Sequence, residues 1–182
     1  MTASSLQTLR VRIRWACFGI RAAAVGYAAW GILGAALFWS DSDRVERAFR
    51  FWFEGQSPLN DPLHRTLAFG LSFAVWMLVV AAVMAAWKLT QHYLAGQVFT
   101  VDAALALKRV GTFGLLATGA DVLIRPVLHA LLSPGPAIGM SFLQQWIRPN
   151  DLLFACVFIA FWAIAHVLES AALLSDEVER FV

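Results

Sequence analysis

Long apolar stretches separated by short polar ones dominate the chain. They run at about residues 18–39, 66–87, 110–132 and 152–174. Each is close to the roughly 20 residues a helix needs to cross the ~30 Å hydrocarbon layer of a bilayer. Thr66–Trp87 is the cleanest, with no charged residue. Its apolar content lies all round, so periodicity gives it no inward face. The polar intervals become outer loops at 40–65 and 133–151 and an inner connection at 88–109. The pattern predicts an all-α fold class, an integral membrane four-helix bundle formed as a single domain over residues 1–182.

A different pattern fills the first outer loop. Asp43 and Glu46 have the form of a capping box. Val45, Ala48, Phe49, Trp52 and Phe53 then share one helical face, with Arg44, Glu46, Arg47 and Arg50 over the rest. Gly55 can end this helix, and Pro58 and Pro62 prevent its resumption. The expectation is an amphipathic interfacial helix lying in the outer headgroup layer. A groove ligand for a partner is the sharper alternative. In the second outer loop, Pro134, Gly135, Pro136 and Gly139 predict an irregular start, and Phe142, Leu143, Trp146 and Ile147 one interfacial turn.

Arg10, Arg12 and Arg14 precede the first apolar run, as in a signal peptide. That run exceeds the usual 7–15 residues of a signal sequence and ends in Leu37, Phe38 and Trp39, a poor cleavage site. We therefore expect a retained first span. Its Gly19, Ala22, Ala23, Gly26, Gly31, Gly34 and Ala35 suit close helix approach, although such residues are also common in membrane helices generally. Gly96 is expected to stop the second helix and Thr100 to cap the third. Seven Lys and Arg fall on the predicted inner side and five on the outer, which predicts cytoplasmic termini.

Composition agrees with lipid as the solvent: 60% of residues are hydrophobic and 14% charged, against about 25% charged in soluble domains. The net charge of +2 is too small and dispersed for direct nucleic-acid binding. Cys17 and Cys156 are expected near opposite ends of their helices, hence unpaired.

Candidate chemistry sits in two places. Asp121, Arg125 and His129 recur at four-residue spacing inside the third apolar run, forming an intramembrane polar cluster. Ionised groups at that depth are costly unless paired within the bundle. A packing salt bridge, a proton or ion pathway and a polar ligand pocket all fit that pattern. Pro126 is expected to bend the helix there. Arg21, His166 and Glu169 form a candidate inner-side cluster on the first and last helices, in which Arg21 and Glu169 pair if those helices adjoin; snorkelling to the surface is the alternative. His64 and His129 on one side, with His92 and His166 on the other, have the count that bis-histidine haem binding requires, although His64 and His92 fall at span ends. No metal site or cofactor is expected. The sequence contains no nucleophile elbow, P-loop, HExxH or CxxC.

Two segments carry a likeness. One is the Gly96–Gln97–Val98–Phe99–Thr100 turn with the amphipathic stretch to Leu107–Lys108–Arg109–Val110–Gly111. The other is the final apolar helix running into an acidic tail, His166–Val167–Leu168–Glu169 through Leu174–Ser175–Asp176–Glu177. In these the chain resembles a bacterial group of four-span membrane proteins known as domain of unknown function 2975. It departs from that group at Ala171 and Ala172, where a glycine is common, and in ending Glu179–Arg180–Phe181–Val182. The resemblance implies a four-helix bundle and, for some members, a genomic association with a small helix-turn-helix regulator. It implies no active site. The functional expectation is a non-enzymatic regulatory or accessory protein of a bacterial inner membrane, with the lipid bilayer and a soluble regulator at the cytoplasmic face as partners, and homo-oligomerisation open. The alternatives are a transporter or channel component using Asp121 and Arg125, and a b-type haem cytochrome.

Overall fold

The computed structural model describes residues 3–52, 61–97, 100–132 and 146–180. They form helices α1 (Ala3–Ser40), α2 (Ser42–Trp52), α3 (Pro62–Leu94), α4 (Val101–Leu132) and α5 (Pro149–Arg180). Four of these are long and apolar enough to span a membrane. The fold is the expected all-α bundle of four long helices with a short amphipathic helix after the first. Gly55, Pro58, Pro134, Gly135, Pro136, Gly139, Phe142, Leu143, and Val98 and Phe99 of the inner turn lie outside the described residues.

Local signals explain the helix ends. Asp41, not Asp43, caps α2, accepting from the backbone N–H of Asp43 at 3.0 Å and Arg44 at 3.2 Å. The cap therefore lies two residues before the expected one: Asp41, directly after α1, turns one carboxylate oxygen to these N–H groups while the other pairs with Arg44 Nε at 3.0 Å. Asp61 caps α3 and Pro62 occupies its first turn, so α3 opens four residues before the second apolar run, expected from Thr66. The α3 C-terminus closes as a Schellman motif. Gly96 N–H donates to Tyr93 O and Gln97 N–H to His92 O, with Gly96 at φ +80°. Thr100 caps α4 as expected, its hydroxyl accepting from Ala103 N–H. α4 continues through Pro126 without interruption.

The helices outrun the apolar stretches. α3 and α4 extend well into the predicted inner connection at 88–109, so most of that connection is a helical hairpin rather than a loop. Hydropathy marks where the solvent changes, whereas the hydrogen-bond ladder ends only at a cap.

Neighbours follow chain order: α1 lies against α2 and α3, α3 against α4, and α4 against α5. α1 and α5 make no close backbone approach among the described residues. α4 is therefore central, and carries the buried Ala103, Ala104, Ala106, Leu107, Val110, Gly111, Gly114 and Ala117. A Cβ at Gly111 would sit 3.0 Å from Phe158 O and 3.1 Å from Trp162 N, so α4 and α5 meet nearly backbone to backbone there. The small residues expected to thin α1 behave differently. Of its glycines, only Gly31 lies under a neighbour among the described residues, the Trp76 ring, while Gly19, Gly26 and Gly34 have nothing within 4 Å. At the α2 end, Trp39, Val45, Ala68 and Leu132 form one buried cluster that joins α1, α2, α3 and α4.

Candidate functional site

The expected polar cluster on α4 is real but larger than the sequence reading. Arg125 donates from Nη2 to Asp121 one turn away. Its principal partner is on another helix: Asp151 of α5 accepts from Nη1 at 2.6 Å and from Nη2 at 2.9 Å. Nη1 also donates to Trp146 O at 2.7 Å. Both terminal nitrogens of the guanidinium are thus saturated, by two carboxylates and a carbonyl. His129 joins through packing, its ring edge-on to Trp146 at 5.5 Å between centroids.

Asp151 has a second task. It is the third residue of α5, and its carboxylate accepts from Arg148 N–H at 2.8 Å while its own N–H donates to Arg148 O at 2.9 Å. This is the side-chain half of a capping box, with Pro149 at the first helical position. An aspartate in the first turn also faces the positive end of the helix dipole. Arg148-Pro149-Asn150-Asp151 is a helix-start signature. Reading the antiparallel α4 and α5 as level with each other would have placed it beside Leu132, about two turns from Arg125.

The depth of this site explains its chemistry. Leu132 packs in the rim cluster with Trp39 and Val45. Arg125 lies about two turns below that rim, roughly 10 Å at 1.5 Å per residue. The start of α5 and the backbone of Trp146 are held at that depth, recessed beside α4, which rises past them. Irregular backbone at such a level is tolerated only where its polar groups find partners inside the protein. Arg125 supplies those partners. Asp151 and Arg125 are correspondingly enclosed, with side chains 10% and 15% exposed, whereas Asp121 is 49% exposed.

The second expected cluster divides. Glu169 and His166 do adjoin, with Nδ1 to Oε2 at 3.5 Å. The cation that reaches Glu169 is Lys108 of α4, at 3.3 Å. Arg21 is on α1, which does not approach α5, so the expected Arg21–Glu169 pairing is corrected. Arg21 instead donates from Nε to Thr90 Oγ1 at 2.7 Å and lies 4.5 Å over the Trp87 ring, both on α3. The α1–α3 pair is fastened at its other end by Arg65, which donates to Trp39 O from Nη2 at 2.6 Å and from Nε at 3.2 Å. That carbonyl is in the last turn of α1, where the ladder runs out of donors. Each hairpin, α1–α3 and α4–α5, is therefore tied at both ends by a basic side chain.

The remaining histidines have local partners: His64 faces the Asp61 cap at 3.0 Å, and His92 approaches Gln97 at 3.4 Å. His92 and His166 lie on helices with α4 between them. Among the described residues no three His, Cys, Asp or Glu side chains gather as metal ligands. Cys17 and Cys156 are both free.

These features define the class: an all-α, multi-pass membrane protein whose charged side chains tie helices together. No family model matches the chain, and no curated protein or solved structure matches it.

Proposed function

We propose that the protein is a non-enzymatic regulatory or accessory subunit of a bacterial inner membrane that holds a soluble partner at its cytoplasmic face. Both termini lie on that face, as the Lys and Arg distribution favours. The supporting observation is the helical hairpin in which α3 and α4 continue about two turns beyond Lys88 and Lys108 and close through the Gly96 Schellman turn. A rigid projection of this kind presents a docking surface at little ordering cost. Gln91, Asp102 and Arg109 are exposed on it. The partner class fits the four-span family the chain resembles, some members of which accompany a helix-turn-helix regulator.

The test places photo-crosslinking side chains at Gln91 and Asp102 in native membranes. One shared soluble adduct from both positions is the expected result, lost when the hairpin is replaced by a short glycine-serine linker. Adducts only to lipid or to the protein itself would refute the proposal.

A transport reading rests on one observation, the half-exposed carboxylate of Asp121 within an apolar span. Proton or cation flux into liposomes, abolished by Asp121→Asn, would favour it over the accessory reading.

A further inference from the structure

The described arginines of the spans differ in what neutralises them. Arg125 meets two carboxylates and Arg65 a helix-terminal carbonyl. Arg21 has neither. Among the described residues its one hydrogen bond is Nε to the Thr90 hydroxyl, and its plane rests on the Trp87 ring. Nη2 is enclosed without an acceptor among the described residues. Arg21 forms no ion pair among the described residues. A guanidinium carries five donors in a fork that matches a phosphate bidentately. One hydroxyl and one ring leave most of that capacity unused beside an apolar phase, where an uncompensated charge is expensive.

The position of the guanidinium indicates what completes it. Thr90 follows Lys88, the residue that ends the charge-free run Thr66–Trp87. The guanidinium therefore sits where apolar surface gives way to headgroups, with a tryptophan at the boundary, as interfacial aromatics commonly are. Exposed Lys88 on α3 and exposed Arg14, two turns before Arg21 on α1, add positive charge at the same end. The carboxylate at that end with a described partner, Glu169, is engaged by Lys108 and His166 on the far hairpin.

We propose that Arg21, with Thr90, Trp87 and Lys88, forms a binding site for the phosphate of an anionic phospholipid in the leaflet that borders the chain termini. The lipid phosphate pairs with Nη1, the terminal nitrogen of Arg21 that is not enclosed, as a charge-assisted contact. The Lys88 ammonium attracts the same headgroup as a point charge. The acyl chains lie along the apolar surface of α1 beside Phe18 and Val25, which α3 leaves exposed.

The test uses the full chain, purified in neutral detergent and examined by native mass spectrometry with added phosphatidylglycerol or phosphatidylcholine. The parent should retain one phosphatidylglycerol about tenfold more tightly than phosphatidylcholine, as expected for one charge-assisted contact. Arg21→Gln should erase that preference. Lys88→Gln, an exposed change that leaves helix packing intact, should weaken it about threefold. Arg44→Gln at the opposite end should leave it unchanged. Equal retention of the two lipids by the parent, or an undiminished preference in Arg21→Gln, overturns the proposal. If Arg21→Gln does not yield folded protein, an unaltered preference in Lys88→Gln overturns it instead. Displacement of phosphatidylglycerol by millimolar inorganic phosphate would identify free phosphate as the occupant and overturn the lipid assignment.

Discussion

Replacing Asp151 with alanine removes one residue from two structures at once. The Arg125 guanidinium loses its bidentate partner, and the Arg148 N–H at the start of α5 loses its acceptor. Removing one member of an enclosed ion pair costs about 3–5 kcal/mol when the other charge is left alone. Here Asp121 and Trp146 O remain on Arg125, which offsets part of that loss. The lost cap adds about 1 kcal/mol. The expected cost of Asp151→Ala is therefore about 3 kcal/mol, well above the ~0.6 kcal/mol average for polar contacts between membrane helices. Asp121→Ala removes a half-exposed carboxylate with one contact and should cost about 1 kcal/mol or less. Asp151→Asn keeps an acceptor for Arg148 N–H and should fall between, near 1.5 kcal/mol. The assay is reversible unfolding in mixed micelles by titration with a denaturing detergent, followed by far-ultraviolet circular dichroism. The ordering carries the argument. If Asp121→Ala is as damaging as Asp151→Ala, the pairing within α4 dominates and the account of a recessed α5 start is wrong.

Other perturbations test the remaining contacts. Gly111→Ala places a methyl 3.0 Å from the Phe158 carbonyl and 3.1 Å from the Trp162 nitrogen; both are backbone, so α4 and α5 must separate, at about 1–2 kcal/mol in the same unfolding assay. Gly34→Ala, with open space around it, should be neutral or slightly stabilising. Asp41 is held below its ordinary 3.8, chiefly by the backbone N–H of Arg44, with the Asp43 N–H and the Arg44 charge adding to this. A depressed carboxylate stabilises α2 fully above its unfolded value and loses that contribution as pH falls through the lowered one. Protection of the α2 amides, relative to their intrinsic exchange at each pH, should thus fall only below about pH 4, and Asp41→Ala should remove that pH-dependent loss; protection already falling between about pH 7 and 5 would contradict the cap assignment.

How much was legible beforehand follows from what each signal reports. The apolar runs identified the four long helices because bilayer thickness sets their length. The amphipathic face after the first run identified α2, with Val45 as its buried anchor. Thr100 and Gly96 were readable because caps are local chemistry. Lengths were underestimated, since the α3 and α4 ladders continue past the lipid boundary until a cap stops them.

The Asp121–Arg125 pair was visible because four-residue spacing makes neighbours within one helix. Asp151, Lys108 as the partner of Glu169, and Thr90 as the partner of Arg21 were not, because each bond joins different helices. Which helices adjoin is decided by small-residue contacts such as Gly111 against Phe158 and Trp162, and in a chain apolar on every face periodicity does not report them. The sequence by itself therefore determined the number of long apolar helices, the amphipathic helix after the first, the Gly96 and Thr100 helix ends and the pairing within α4. Only the tertiary structure decided the partners between helices and the recessed start of α5. Lipid accepts any apolar face, whereas a buried charge accepts only the partner that packing brings within reach.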